Sequence, residues 1–173
     1  MDSFLGDSIM HNEYLVVLPI EPMQLGDQYP VGTPLPLHCT VMPWFRLQPS
    51  IDFAALNAVL SRLACTGKDE VELVSEAPKL FGPKNNIPVH ILRGNEWLER
   101  LHAELLRYLV AAQSTPVDVR WVGTGYRPHV TDTVTTAFTS GSRCVPQGLV
   151  LIERGDDRIK RVKRCYDFAE SSF

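Results

Sequence analysis

Crosslinking chemistry is scarce in this chain. Its four cysteines, Cys39, Cys65, Cys144 and Cys165, are scattered and form no Cys-x-x-Cys pair, which argues against a zinc knuckle or a disulfide framework and leaves four ordinary thiols. Long apolar runs are missing too. The stretch Leu15 to Ile20 is too short to span a bilayer, and Asp2, Asp7 and Glu13 ahead of it are wrong for a secretory signal. The expectation is therefore a cytoplasmic protein that has no membrane partner. Nor is there an excess of positive charge: 17 Lys and Arg face 20 Asp and Glu, a net charge of -3. A protein that grips long nucleic acid through its phosphates normally carries a strongly basic face, so DNA is not an expected partner. A short RNA end or a small nucleotide is the easier ligand.

What is present is the composition of an ordinary globular protein, 45% apolar and 21% charged over 173 residues, enough for a substantial core in a single domain covering 1–173 and expected to be monomeric. Glu13 to Ile20 reads as a strand buried on both faces and ended by Pro19. Glu21 to Leu37 is a Pro- and Gly-rich connection, in which Tyr29 either caps the core or lines a cleft. Ser50 is a candidate cap for a helix carrying Phe53, Leu56, Val59, Leu60 and Leu63 at helical spacing, with Gly67 as its stop. Asn95 can cap a second helix with Leu98, Leu101, Leu105, Leu109 and Ala112 on its buried stripe and His102 beside it. Val71 to Val74 and Ile87 to Leu92 read as strands around a turn whose Lys84, with Arg93 beyond it, could meet a phosphate. Val117 to Val122 alternates like a strand. Leu149 to Glu153 and Arg158 to Phe168 look like a closing pair around Gly155-Asp156-Asp157.

Two short stretches answer each other across this plan: Leu37-His38-Cys39-Thr40 and Pro128-His129-Val130-Thr131. Each is His-x-Thr in a β-prone run, each follows a Pro-containing approach, and each lies in its own half of the chain. In an extended strand alternate side chains share a face, so His38 sits with Thr40 and His129 with Thr131. Lone histidines are often hydrogen-bonded core residues; His11, in the lead-in, is given no role, and His90, with no Thr at the required spacing, reads as a structural or surface histidine. Two imidazoles with two hydroxyls on facing strands form a different inventory: two proton-transfer groups and two hydrogen-bond donors, which suits in-line attack on a phosphodiester.

The two motifs, with the strand Tyr14 to Ile20 before the first and Gly125-Tyr126-Arg127-Pro128 before the second, resemble the two-histidine phosphoesterase superfamily, which includes RNA 2',3'-cyclic phosphodiesterases also called 2'-5' RNA ligases. The resemblance implies an α+β bilobal fold: two pseudo-symmetric lobes of antiparallel sheet, helices outside, and the motif strands side by side in a central cleft. It implies a hydrolase, a cyclic phosphodiesterase with possible reverse ligase activity, that needs no metal or other cofactor. His38, His129, Thr40 and Thr131 would be catalytic, and Tyr126, Arg127, Trp44 and Tyr166 would bind substrate. One departure is Asp132, where the family usually has an apolar residue; strand alternation turns it away from the cleft. A non-catalytic module that retains the cleft and binds a nucleotide or RNA is the alternative reading.

Overall fold

Strand β1 (Glu13–Pro19) buries five residues in succession, Tyr14 to Leu18, and a strand so apolar must be covered on both faces. In the computed structural model, which describes residues 12–66, 71–133 and 138–168, it lies inside an antiparallel sheet. The other elements, in chain order, are β2 (Gln28–Pro30), β3 (His38–Arg46), helix α1 (Phe53–Ala64), β4 (Leu73–Phe81), β5 (Ile87–Leu92), helix α2 (Glu96–Ala111), β6 (Thr115–Pro116), β7 (His129–Thr131), β8 (Arg143–Cys144), β9 (Gly148–Arg154) and β10 (Ile159–Asp167). The sheet order is β2-β10-β9-β1-β3-β7-β5-β4-β8, with β6 paired to β3. The class is α+β, a curled antiparallel half-barrel with two α-helices among the described residues.

The pleat divides the sheet into two chemically distinct faces. Val16, Leu18, Cys39, Val41, Phe45, Leu149 and Leu151 join the helices in one core. Leu15, Val17, Val150, Ile152 and Val162 face the other way, where Met23 and Leu35 partly cover them. Helix α1 brings Leu56, Leu60 and Leu63 to the first face, and α2 brings Leu98, Leu101, Leu105 and Leu109. Each such leucine contributes about 1.5–3 kcal/mol of apolar burial. The second helix begins as its sequence implies, the Asn95 side chain accepting from the Leu98 N–H at 3.0 Å. The first is capped by Asp52, whose Oδ1 accepts from the Ala54 N–H at 2.9 Å, while Ser50 lies in the preceding turn. Gly67 and His11 lie outside the described residues.

One expected strand is not formed. Val117 to Val122 contains a 3-10 turn, Val119–Trp121, followed by a second at Gly123–Gly125. Val117 and Val119 are 47% and 69% exposed, so among the described residues no sheet face buries them. The Asp118 side chain instead accepts from the Arg120 N–H at 3.0 Å and starts the turn. The turn closes so tightly that a Cβ on Gly125 would lie 2.0 Å from the Arg120 carbonyl oxygen. The second motif strand ends at Thr131, and Asp132 then accepts from the Phe138 N–H at 2.9 Å. Positions 134–137 lie outside the described residues.

Replacement of Leu105, which has no exposed surface, by Ala is expected to lower unfolding free energy by about 2–5 kcal/mol through a cavity between α2 and the sheet. Leu25→Ala, at a 63% exposed position, should change it by less than about 0.5 kcal/mol. Urea denaturation of the two variants measures the contrast.

Candidate active site

Strands β3 and β7 meet with Cys39 opposite Val130, and both of these residues are fully buried beneath the helices. Alternation then turns His38, Thr40, His129 and Thr131 to the other face. This register sets His38 across from Thr131 and Thr40 across from His129. Directly opposed Cβ atoms lie about 4.5–5.5 Å apart and diagonal ones about 7–8 Å, so the two imidazoles flank the space between them on a diagonal. All four side chains line one cleft of about 750 Å³. Strand β5 supports β7 from its far side, Val89 opposite Thr131 and Ile91 opposite His129.

The two histidines are anchored alike. His38 Nδ1 is 2.7 Å from the Pro36 carbonyl and His129 Nδ1 is 2.7 Å from the Arg127 carbonyl, each two residues upstream. A carbonyl only accepts, so Nδ1 carries the hydrogen and Nε2 is left for the cleft. Burial holds both rings below the ordinary imidazole pKa, against the opposing pull of those carbonyls; His129 and Lys160 lower His38 further by charge repulsion. The intervening Cys39 is no rival nucleophile, because burial pushes its thiol up to about 12. Among the described residues no group of three His, Cys, Asp or Glu side chains converges where a metal ion could be held.

The cleft walls differ in chemistry. Near His129, Phe81 meets the ring edge-on at 4.8 Å and stacks on Trp121 at 5.9 Å. Toward β9 and β10 lie Trp44, Arg154 and Lys160, with the Arg154 guanidinium 4.3 Å from the centre of the Trp44 ring. Arg154 and Arg46 share the carboxylate of Glu13; burial pushes that carboxyl up, but the two guanidiniums bring it below its usual value.

Of the four residues expected to bind substrate, Trp44, Tyr126 and Arg127 line the cleft. Tyr126 already spends its hydroxyl on the Thr40 carbonyl at 2.9 Å, and Arg127 Nη1 bonds the carbonyls of Thr124 and Tyr126. Tyr166 stands elsewhere. Its partner across β9 is Leu149, which faces the helices, and its hydroxyl donates to Asn57 Oδ1 at 2.8 Å on α1. That placement corrects the expectation that it reaches the cleft. Neither Lys84 nor Arg93 lines the cleft; Tyr29 packs on the smaller apolar cluster and bonds Asp27. Asp132 faces away as expected, with Oδ2 3.6 Å from His90 Nε2.

His102 has a part that its sequence context concealed. Its Nδ1 lies 2.7 Å from the Val41 carbonyl, its Nε2 accepts from the Gly123 N–H at 3.0 Å, and its ring stacks parallel on Tyr126 at 3.8 Å. It thus ties helix α2 to the first motif strand and to the turn that delivers the second. The only advance signal was an imidazole beside a leucine stripe. No protein-family model matches the chain, and no curated protein matches it in sequence.

With both nitrogens engaged in this way, His102 must be neutral, and burial lowers its pKa against the pull of the Val41 carbonyl. A group whose folded pKa lies below its unfolded value of about 6.5 contributes stability that is complete above that value and lost as pH falls through the folded pKa. His102→Phe keeps a ring to stack but leaves the buried Val41 carbonyl unsatisfied, at about 1–3 kcal/mol, and frees the more exposed Gly123 N–H. The variant should melt lower at pH 7.5 and lose less of its Tm than the parent between pH 7 and 5; equal acid slopes would assign the acid loss to other groups.

Proposed function

We propose that this chain is a cyclic phosphodiesterase that opens a 2',3'-cyclic phosphate on a short RNA end or nucleotide by two-histidine acid-base catalysis, without a metal, acting as a cytoplasmic monomer. The observation that carries the reading is the pairing of Cys39 with Val130, through which His38, Thr40, His129 and Thr131 share one cleft. Two threonines lining the same cleft as two imidazoles are suited to an in-line displacement at phosphorus: their hydroxyls would donate to non-bridging oxygens whose negative charge grows in the transition state. The bilobal, pseudo-symmetric description of the fold belongs to the same proposal. Its support is the central position of the two motif strands, with β1, β9 and β10 on one side and β5 and β4 on the other.

In the reaction, neutral His129 takes a proton from water at Nε2 as the water oxygen bonds to phosphorus. The bond from phosphorus to the ribose 3' oxygen breaks, and imidazolium His38 gives its Nε2 proton to that oxygen. The product is a 2'-phosphate, with both protons accounted for and the two histidines left in exchanged protonation states. The assignment of His38 as acid and His129 as base follows the family resemblance. The alike anchoring of the rings lets the roles reverse when the other ribose oxygen leaves.

His38→Ala and His129→Ala should each lower kcat by about 10² to 10⁴ on a 2',3'-cyclic nucleotide while keeping the parent's far-ultraviolet circular dichroism. Thr40→Val and Thr131→Val should cost roughly 10² to 10³. Full activity in either folded histidine variant would falsify the proposal, and nucleotide binding without turnover in the parent would favour the non-catalytic module. The profile of kcat/KM against pH should be a bell whose two limbs belong to the histidine pair. Because both pKa values are lowered, its centre should fall on the acid side of about 6.5, and EDTA should leave it unchanged.

A further inference from the structure

Most cations in the cleft are already engaged. Arg120 is held by Asp118 at 2.6 Å, Arg154 by Glu13, and Arg127 turns Nη1 onto carbonyls of its own loop. Lys160 has no carboxylate within ion-pair reach among the described residues. Its ammonium donates to the Thr33 carbonyl, which leaves two N–H groups of three unspent. It also stands directly across the β9–β10 ladder from Arg154, and like charges placed opposite each other on a sheet destabilise it. Both side chains are half-buried on the cleft wall, and the nearby Glu13 already serves Arg154 and Arg46. Two cations side by side in a partly dry cleft, sharing less than one carboxylate, are stabilised by an anion between them. The opposite end of the cleft, with Phe81 and Trp121 in stacked contact, offers aromatic faces and a self-paired Arg120.

We propose that Lys160, with Arg154 beside it, forms a subsite for a second phosphate group, so that the preferred substrate carries one phosphate in addition to the cyclic phosphate held between His38 and His129. The choice of substrates rests on the cyclic phosphodiesterase reading; the subsite itself rests on the position of Lys160. The second phosphate can be the 5' monoester of a nucleotide or the next diester of an oligonucleotide, and both present the same anionic oxygens to the ammonium.

The test compares three substrates: adenosine 2',3'-cyclic phosphate, the same compound with a 5'-phosphate, and an adenosine dinucleotide ending in the cyclic phosphate. The parent should favour at least one of the two-phosphate substrates by about tenfold or more in kcat/KM, the contribution of one charge-assisted contact. Lys160→Gln should reduce that ratio to near one, and Lys160→Arg should restore most of it. A gain confined to the 5'-phosphate identifies a mononucleotide as the fitting ligand, and a gain shared by the dinucleotide identifies a chain end; either supports the subsite. No gain in the parent, or an equal loss on all three substrates in Lys160→Gln, overturns it. If the parent turns over none of them, the phosphodiesterase reading has failed, and calorimetric titration decides the subsite separately. Adenosine 2',5'-bisphosphate should then bind about tenfold tighter than adenosine 2'-monophosphate, with the difference lost in Lys160→Gln; equal binding of the two overturns it.

Discussion

The ladder between β3 and β7 joins segments 91 positions apart at Cys39 and Val130, and the rest of the cleft depends on that contact. A slip of one residue would turn a histidine and a threonine of one motif into the helix-packed core and bring Cys39 or Val130 out in their place. The register is held by burial, since neither of those two residues has exposed surface. It is also held by hydrogen bonds from outside the strands: Tyr126 to the Thr40 carbonyl, and His102 to both the Val41 carbonyl and the Gly123 N–H. The apolar core and the polar clamp therefore specify the same alignment.

Desolvation gives the cleft its electrical character. The imidazoles of His38 and His129 are pushed toward their neutral forms, and Cys39 keeps its proton. Positive charge without a carboxylate partner among the described residues remains on the β10 wall at Lys160. A neutral floor with a cationic wall accepts an anion, and it is the bound anion, not the wall, whose negative charge would favour an imidazolium, because an opposite charge at close range favours the charged form of a ring.

The parts of this arrangement that depend on local periodicity were legible in the residues. Both helices follow leucine spacing, with Asn95 at the start of the second, and the period of two in His-x-Thr predicts which side chains share a face. The parts that depend on which strands become neighbours were not. Lys160 acquires meaning from the proximity of β10 to the loop before His38, and Phe81 and Trp121 from the approach of the end of β4 to a 3-10 turn. Val117 to Val122 has the alternation of a strand, but Val117 and Val119 on its apolar side stay largely exposed. Tyr166 illustrates the converse: its hydroxyl suits a binding site, yet cross-strand pairing with Leu149 commits it to the helix face. His102, a polar residue beside an apolar stripe, carried a signal too weak to say what it would hold.

The position of β1 has a cost during synthesis. Its two neighbours are β3, which follows closely, and β9, whose pairing with Val17 begins only at Val150. For the roughly hundred residues made between them, at about 5–20 residues per second, a strand with five buried residues in succession presents one open edge to whatever is nearby. Such an edge is a template for pairing with another chain. Until residues 148–154 have been made, the cleft face therefore stays open to solvent on its β9 side.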